Sequence, residues 1–163
     1  MAEEKAAERL DMAAIRRRVE FVLNEARCGM KVRDKTLTFA LRAISTYCSF
    51  DKDLNARDIK FKTKVMSQAA LDRKRDNPNN WWRQAQTVNE HQEPLDKIWK
   101  DICVASGQMS VDEVIDRFKR YSMVVVTKEE DDRLRHLKHL SPEERYNQAG
   151  IIVRTLGDDG IWR

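Results

Sequence analysis

The side chains best suited to chemistry are concentrated in one central stretch, residues 79–95. It contains two of the four tryptophans, Trp81 and Trp82, and one of the three histidines, His91. An exposed indole can stack on an unpaired base, a contact worth about 1–3 kcal/mol. Adjacent residues of an extended segment point in opposite directions, so we expect one indole in the core and the other partly exposed.

Basic residues are dense beside this stretch. Between residues 57 and 75 there are seven lysines and arginines against two aspartates. Such a cluster suits a phosphate backbone or an acidic protein surface, and a solvated helix face is the plainer interpretation. The residues predicted to bind nucleic acid or another acidic partner are Lys60, Lys62, Lys64, Arg73, Lys74, Arg75, Trp81, Trp82 and Arg83.

A carboxylate directly precedes the central histidine, and Pro94 follows it after two residues. This Glu-His-x-x-Pro segment resembles the first half of the HNH nuclease motif. The run from Tyr121 to Ile151 resembles small stand-alone bacterial or phage proteins that carry the same segment. The HNH resemblance implies that His91 is a general base and that Glu90 is a ligand of Mg²⁺ or Mn²⁺. His136 and His139 would be further metal ligands. In the structural alternative, His91 fixes a joint before a helix.

The HNH pattern is incomplete in this chain. Its closing Asn and His at short spacing are absent, and His136 lies 45 residues beyond His91. No other catalytic or phosphate-binding motif is present, and outside the nuclease hypothesis we expect no cofactor. A third hypothesis is therefore an inhibitor or adaptor, encoded by a phage or bacterium, that docks onto a protein machine.

The elements that position these residues are predicted to be mostly helical. Apolar residues recur at helical spacing over 3–27, 34–48, 55–72 and 95–106, and capping boxes begin at Ser110 and Thr127. The helices over 34–48 and 55–72 also resemble a helix-turn-helix, with the second helix basic. Strands are predicted at 122–127 and 151–156, paired with each other.

The fold class follows as mainly α with a small two-stranded β element, in a single compact domain over residues 1–163. Residues 1–12 are expected to fray, and residues 76–93 are expected to form a central loop. The 163 residues carry a net charge of +4 and no apolar run approaching a membrane span. Three widely spaced cysteines and the absence of a signal-like N-terminus predict a cytoplasmic protein without disulfides.

Overall fold

The computed structural model describes residues 11–52 and 54–163, which form eight α-helices and four strands. The helices are α1 (Met12–Arg27), α2 (Lys35–Phe50), α3 (Ala56–Lys62), α4 (Gln68–Asp76), α5 (Leu95–Val104), α6 (Val111–Arg120), α7 (Lys128–Arg135) and α8 (Pro142–Gln148). The strands are β1 (Val65–Ser67), β2 (Thr87–His91), β3 (Met123–Thr127) and β4 (Val153–Thr155).

Local capping signals place most of the helix starts. Asp34 accepts a hydrogen bond from the Leu37 N–H at 2.7 Å, and this fixes the start of α2. The predicted capping boxes at Ser110 and Thr127 are confirmed, and Ser141 forms a third one. The predicted start of the first helix at residue 3 and most of the expected fraying over 1–12 lie outside the described residues.

Helices α1, α2, α5 and α6 pack their apolar faces into one core. The residues at its centre are fully buried and aliphatic, namely Ile15, Val19, Val22, Leu37, Leu41, Ile44, Ile102 and Val114. Burial of each large aliphatic side chain contributes about 1.5–3 kcal/mol. This helical layer supports α2, whose outer surface borders the candidate site.

A four-stranded mixed sheet makes the second layer, in the order β2-β3-β1-β4. The prediction of two strands was therefore wrong, and so was the predicted pairing of 122–127 with 151–156. Strand β1 lies between β3 and β4, parallel to the first and antiparallel to the second. Val65–Ser67 lies within the predicted helix 55–72, because three residues are too few to show the two-residue period of a strand.

Strand β3 is buried on both faces, as its β-branched run predicts. Val124 and Val126 pack with Leu134 and Tyr146 on one side, whereas Val125 packs with Trp81 and Met66 on the other. Because successive side chains of a strand point to opposite faces, each face of the sheet has its own small core.

The predicted helix 55–72 is interrupted. α3 ends at Lys62, the chain extends through β1, and α4 begins after Ser67. A seven-residue helix followed by a strand is not the recognition helix of a helix-turn-helix, so that interpretation was wrong. The expected loop 76–93 also needs correction, since its last part, Thr87–His91, is strand β2 paired antiparallel with β3.

Candidate functional site

A cleft with a volume of about 660 Å³ lies between α2, α3 and β2. We call it the Trp82 cleft and define it by six residues of its wall, namely Arg42, Arg57, Trp82, Gln84, Asn89 and His91. Helix α2 supplies Arg42 and α3 supplies Arg57. Strand β2 supplies Asn89 and His91, whose side chains lie on the same face because they are two residues apart.

The wall of the cleft is positively charged. Arg42, Arg57 and Lys60 line it, and among the described residues no aspartate or glutamate does. Both arginines are exposed to solvent. A concave surface with charge of one sign focuses the electrostatic potential and concentrates anions. The cleft therefore suits a phosphate-bearing ligand.

The two adjacent tryptophans divide as expected from the sequence. Trp81 is 1% exposed and packs edge-on against Phe61 with ring centroids 5.3 Å apart. Trp82 is half-buried, with the Arg57 guanidinium 4.6 Å and the Arg83 guanidinium 5.9 Å from its ring centroid. Guanidinium groups at these distances are attracted to the face of the indole. Trp82 therefore has an accessible ring beside two cations.

Lys60 is not a surface cation, so its assignment to the binding face was wrong. It is 5% exposed, and its Nζ donates to the backbone oxygens of Trp82 at 2.8 Å and Thr87 at 2.5 Å. Desolvation lowers the pKa of the Lys60 ammonium. The side chain holds the Trp82 loop to β2, a structural role that charge counting in the sequence could not reveal.

The other predicted basic residues lie in different local environments. Lys64 pairs with Asp158, Arg73 with Glu129, and Arg75 with Asp72 and Asp76. The Lys74 Nζ lies 5.0 Å from the centroid of the buried Trp81 ring, and Lys62 is exposed. Of the predicted set, only Trp82 and the buried Lys60 line the Trp82 cleft itself, and Arg83 adjoins it through the indole.

His91 lines the cleft, and its surroundings keep it neutral. Its Nδ1 lies 2.9 Å from the Ser45 hydroxyl. Burial, reinforced by the positive charges of Arg42 and Arg33, lowers the pKa of the imidazole to about 4. A neutral imidazole can bond to a hydroxyl or accept a proton, and here it joins β2 to α2.

Glu90 lies on the opposite face of β2. Its Oε1 accepts a bond from Arg145 Nη2 at 2.9 Å and its Oε2 accepts one from the Tyr146 hydroxyl at 3.2 Å. Burial raises the pKa of the Glu90 carboxyl, although Arg145 and Tyr146 act against that rise. The carboxylate is therefore the counter-ion of a fully buried arginine.

His136 and His139 are exposed, and both lie beyond the end of α7. They line a different surface depression from the Trp82 cleft. In the ranges 11–52 and 54–163, no three His, Cys, Asp or Glu side chains gather in a way that could hold a metal ion. The donors implied by the HNH resemblance do not form a metal site there.

Four of the six residues that define the cleft, Arg42, Arg57, Gln84 and Asn89, were not among the predicted site residues. Arg42 was passed over because it is an isolated cation on the outer side of α2. Asn89 was placed in a loop, yet it lies on β2, where its Nδ2 donates to the Ala56 oxygen at 2.8 Å. The helical period could have indicated that Arg42 points away from the α2 core, because it follows the buried Leu41.

Acid should destabilise the protein through His91. Its pKa is 6.5 ordinarily and about 4 in the folded chain, so the unfolded chain binds more protons between these values. Stability should therefore fall as the pH drops from 6.5 to 4, by about 3 kcal/mol from this group. Urea unfolding of wild type and His91→Gln at pH 7.5 and 4.5 measures it. Equal acid losses in both proteins would contradict the assignment.

No helix in the part of the chain that the structure describes has the length and apolar character needed to cross a bilayer. No family model matches the sequence, and the searches of curated proteins and of solved structures returned no match either.

Proposed function

We propose that this chain binds single-stranded nucleic acid in the Trp82 cleft. The observation that carries the proposal is the half-buried Trp82 ring with two guanidinium groups near it, at the rim of a cleft that no aspartate or glutamate lines among the described residues. An aromatic platform beside cations is the arrangement that proteins use to hold unpaired bases. Neither the aromatic ring alone nor the cations alone would distinguish a nucleic acid from another anion.

The residues of the cleft have separate tasks in this proposal. Trp82 stacks on one base, a contact worth about 1–3 kcal/mol and tolerant of base identity. Arg42 and Arg57 bind the phosphates on either side, since the planar guanidinium matches two phosphate oxygens. The exposed Gln84 offers its amide group to the edge of the stacked base.

A single strand is favoured over a duplex for a geometric reason. Stacking on Trp82 needs a base whose face is open, and paired bases within a duplex are already stacked on their neighbours. α3 is short, and its Lys60 is buried, so it presents no row of cations that a groove of duplex DNA would require. The cleft is also concave, which suits a flexible strand.

The proposal is tested by the salt dependence of binding to fluorescently labelled single-stranded DNA and RNA. With Arg42, Arg57 and Arg83 each neutralising one phosphate, the affinity should fall about 20-fold between about 50 mM and 200 mM salt. A duplex of the same sequence serves as the matched control and should bind more weakly. An affinity that is insensitive to salt, or no binding in low salt, would overturn the proposal.

The same samples address the two other hypotheses from the sequence. Cleavage that requires Mg²⁺ or Mn²⁺ and disappears in His91→Gln would support the HNH-like nuclease. A protein that co-purifies stably with the chain, together with no affinity for oligonucleotides, would support the inhibitor or adaptor. Under the present proposal, the oligonucleotide is bound and recovered intact.

A further inference from the structure

Two more depressions lie beside the Trp82 cleft on the surface. The second depression shares Arg42, Asn89 and His91 with the cleft, and Arg33 and Lys138 also line it. The third depression shares Pro94, Asp96, Arg135 and Lys138 with the second one, and it extends to Lys97 and Lys100. Their volumes are about 230 and 430 Å³. Because adjacent depressions share wall residues, the three lie side by side in a row, which we call the path.

The path has an excess of positive charge along its length. Four lysines and arginines face three carboxylates in the second depression, and four face two in the third. The carboxylates are paired with arginines, of which Arg33 and Arg135 line the path themselves, so Arg42, Lys97, Lys100 and Lys138 carry the excess charge. Asp96 pairs with Arg33 at 2.8 Å, Asp131 with Arg135 at 2.8 Å, Glu90 with Arg145 at 2.9 Å and Asp101 with Arg117 at 2.5 Å.

The chemistry of the path changes with distance from Trp82. Among the described residues, no Phe, Tyr or Trp lines the second or third depression. Bases there would have no Phe, Tyr or Trp ring to stack on, while Lys97, Lys100 and Lys138 lie beside the path to bind phosphates. Lysine binds a phosphate as a point charge, without reading the base attached to it.

We propose, on the basis of the function proposed above, that one extended strand occupies the whole path. Its base stacks on Trp82 at one end, and its sugar-phosphate backbone follows Arg42 toward Lys97, Lys100 and Lys138. The ligand is thus an extended single strand of DNA or RNA, rather than a mononucleotide. The identity of a base affects the affinity only at the Trp82 end. The length of the strand affects the affinity at the opposite end, beside the lysines.

The test compares oligonucleotides of about 3 and 12 nucleotides, since single-strand sites span roughly 4–16 nucleotides. The variant Lys97→Ala/Lys100→Ala/Lys138→Ala should bind the longer strand about tenfold more weakly at low salt and with a shallower salt dependence. It should bind the shorter strand like wild type. The control Lys35→Ala/Lys119→Ala/Arg120→Ala removes three exposed charges that lie outside the three depressions.

Two failures of this test have different meanings. If the lysine variant and its control bind the longer strand equally well, the extended path is wrong, whereas binding at Trp82 stands. If the wild type binds neither length at low salt, the function proposed for the cleft fails as well. Trp82→Ala should weaken the binding of both oligonucleotides, because each of them places a base on Trp82.

Discussion

Replacing Arg145 by alanine should destabilise the fold by about 3–5 kcal/mol, because it leaves a buried carboxylate without its counter-ion. The Arg145 side chain is fully buried, and only 12% of the Glu90 side chain is exposed. Arg145 also donates to the Gln92 oxygen at 2.6 Å, so it connects α8 with the end of β2. The midpoint of urea unfolding, measured by circular dichroism, reports the loss.

An exposed arginine of the neighbouring helix provides the matched control. Arg135 pairs with Asp131 and Asp132, but 58% of its side chain is exposed. Pairs of this kind are screened by solvent, so Arg135→Ala should cost no more than about 1 kcal/mol. Equal shifts of the unfolding midpoint for Arg145→Ala and Arg135→Ala would contradict the role given to the buried pair.

A double substitution separates the buried charge from the lost packing. Arg145→Met with Glu90→Gln removes both charges and keeps most of the side-chain volume. Replacing a buried ion pair by neutral groups is often close to neutral in stability, so the double variant should recover part of the loss seen in Arg145→Ala. Its His91 remains in place, and oligonucleotide binding should persist.

Trp82→Ala should weaken binding of single-stranded nucleic acid by about 1–3 kcal/mol, or roughly 5- to 150-fold, because the base loses its stacking partner. Adding Arg57→Ala removes a phosphate contact and should lower affinity further, with a shallower salt dependence. Trp82→Phe keeps an aromatic face and should bind at an intermediate level. Fluorescence anisotropy of a labelled oligonucleotide measures all three variants.

Trp81→Ala is the counterpart that should act on stability instead. Trp81 is buried against Met66 and Val125, so its truncation should cost about 3–5 kcal/mol of folding free energy. Trp82 is half-buried, so Trp82→Ala should leave the urea midpoint much nearer to that of wild type. Wild-type affinity in a folded Trp82→Ala protein would refute stacking as the basis of binding.

Much of the helical architecture could be predicted from the sequence because its causes are local. The capping boxes at Ser110 and Thr127 act within four residues, and the apolar period of α5 needs only its own side chains. The methionine and three valines of β3 could likewise be assigned to a buried strand from their own composition. The mainly helical α+β class follows from these elements.

Only the tertiary structure decided how the site is assembled. β1 becomes a strand because β3 and β4 supply hydrogen-bond partners from distant parts of the chain. The same long-range packing buries Lys60 and Trp81, exposes part of Trp82, and brings Arg42 of α2 beside β2. The position of a charged residue in the sequence does not show which surface its side chain will face after folding. Capping and periodicity can therefore be read along the chain, whereas a binding cleft depends on which residues meet after folding.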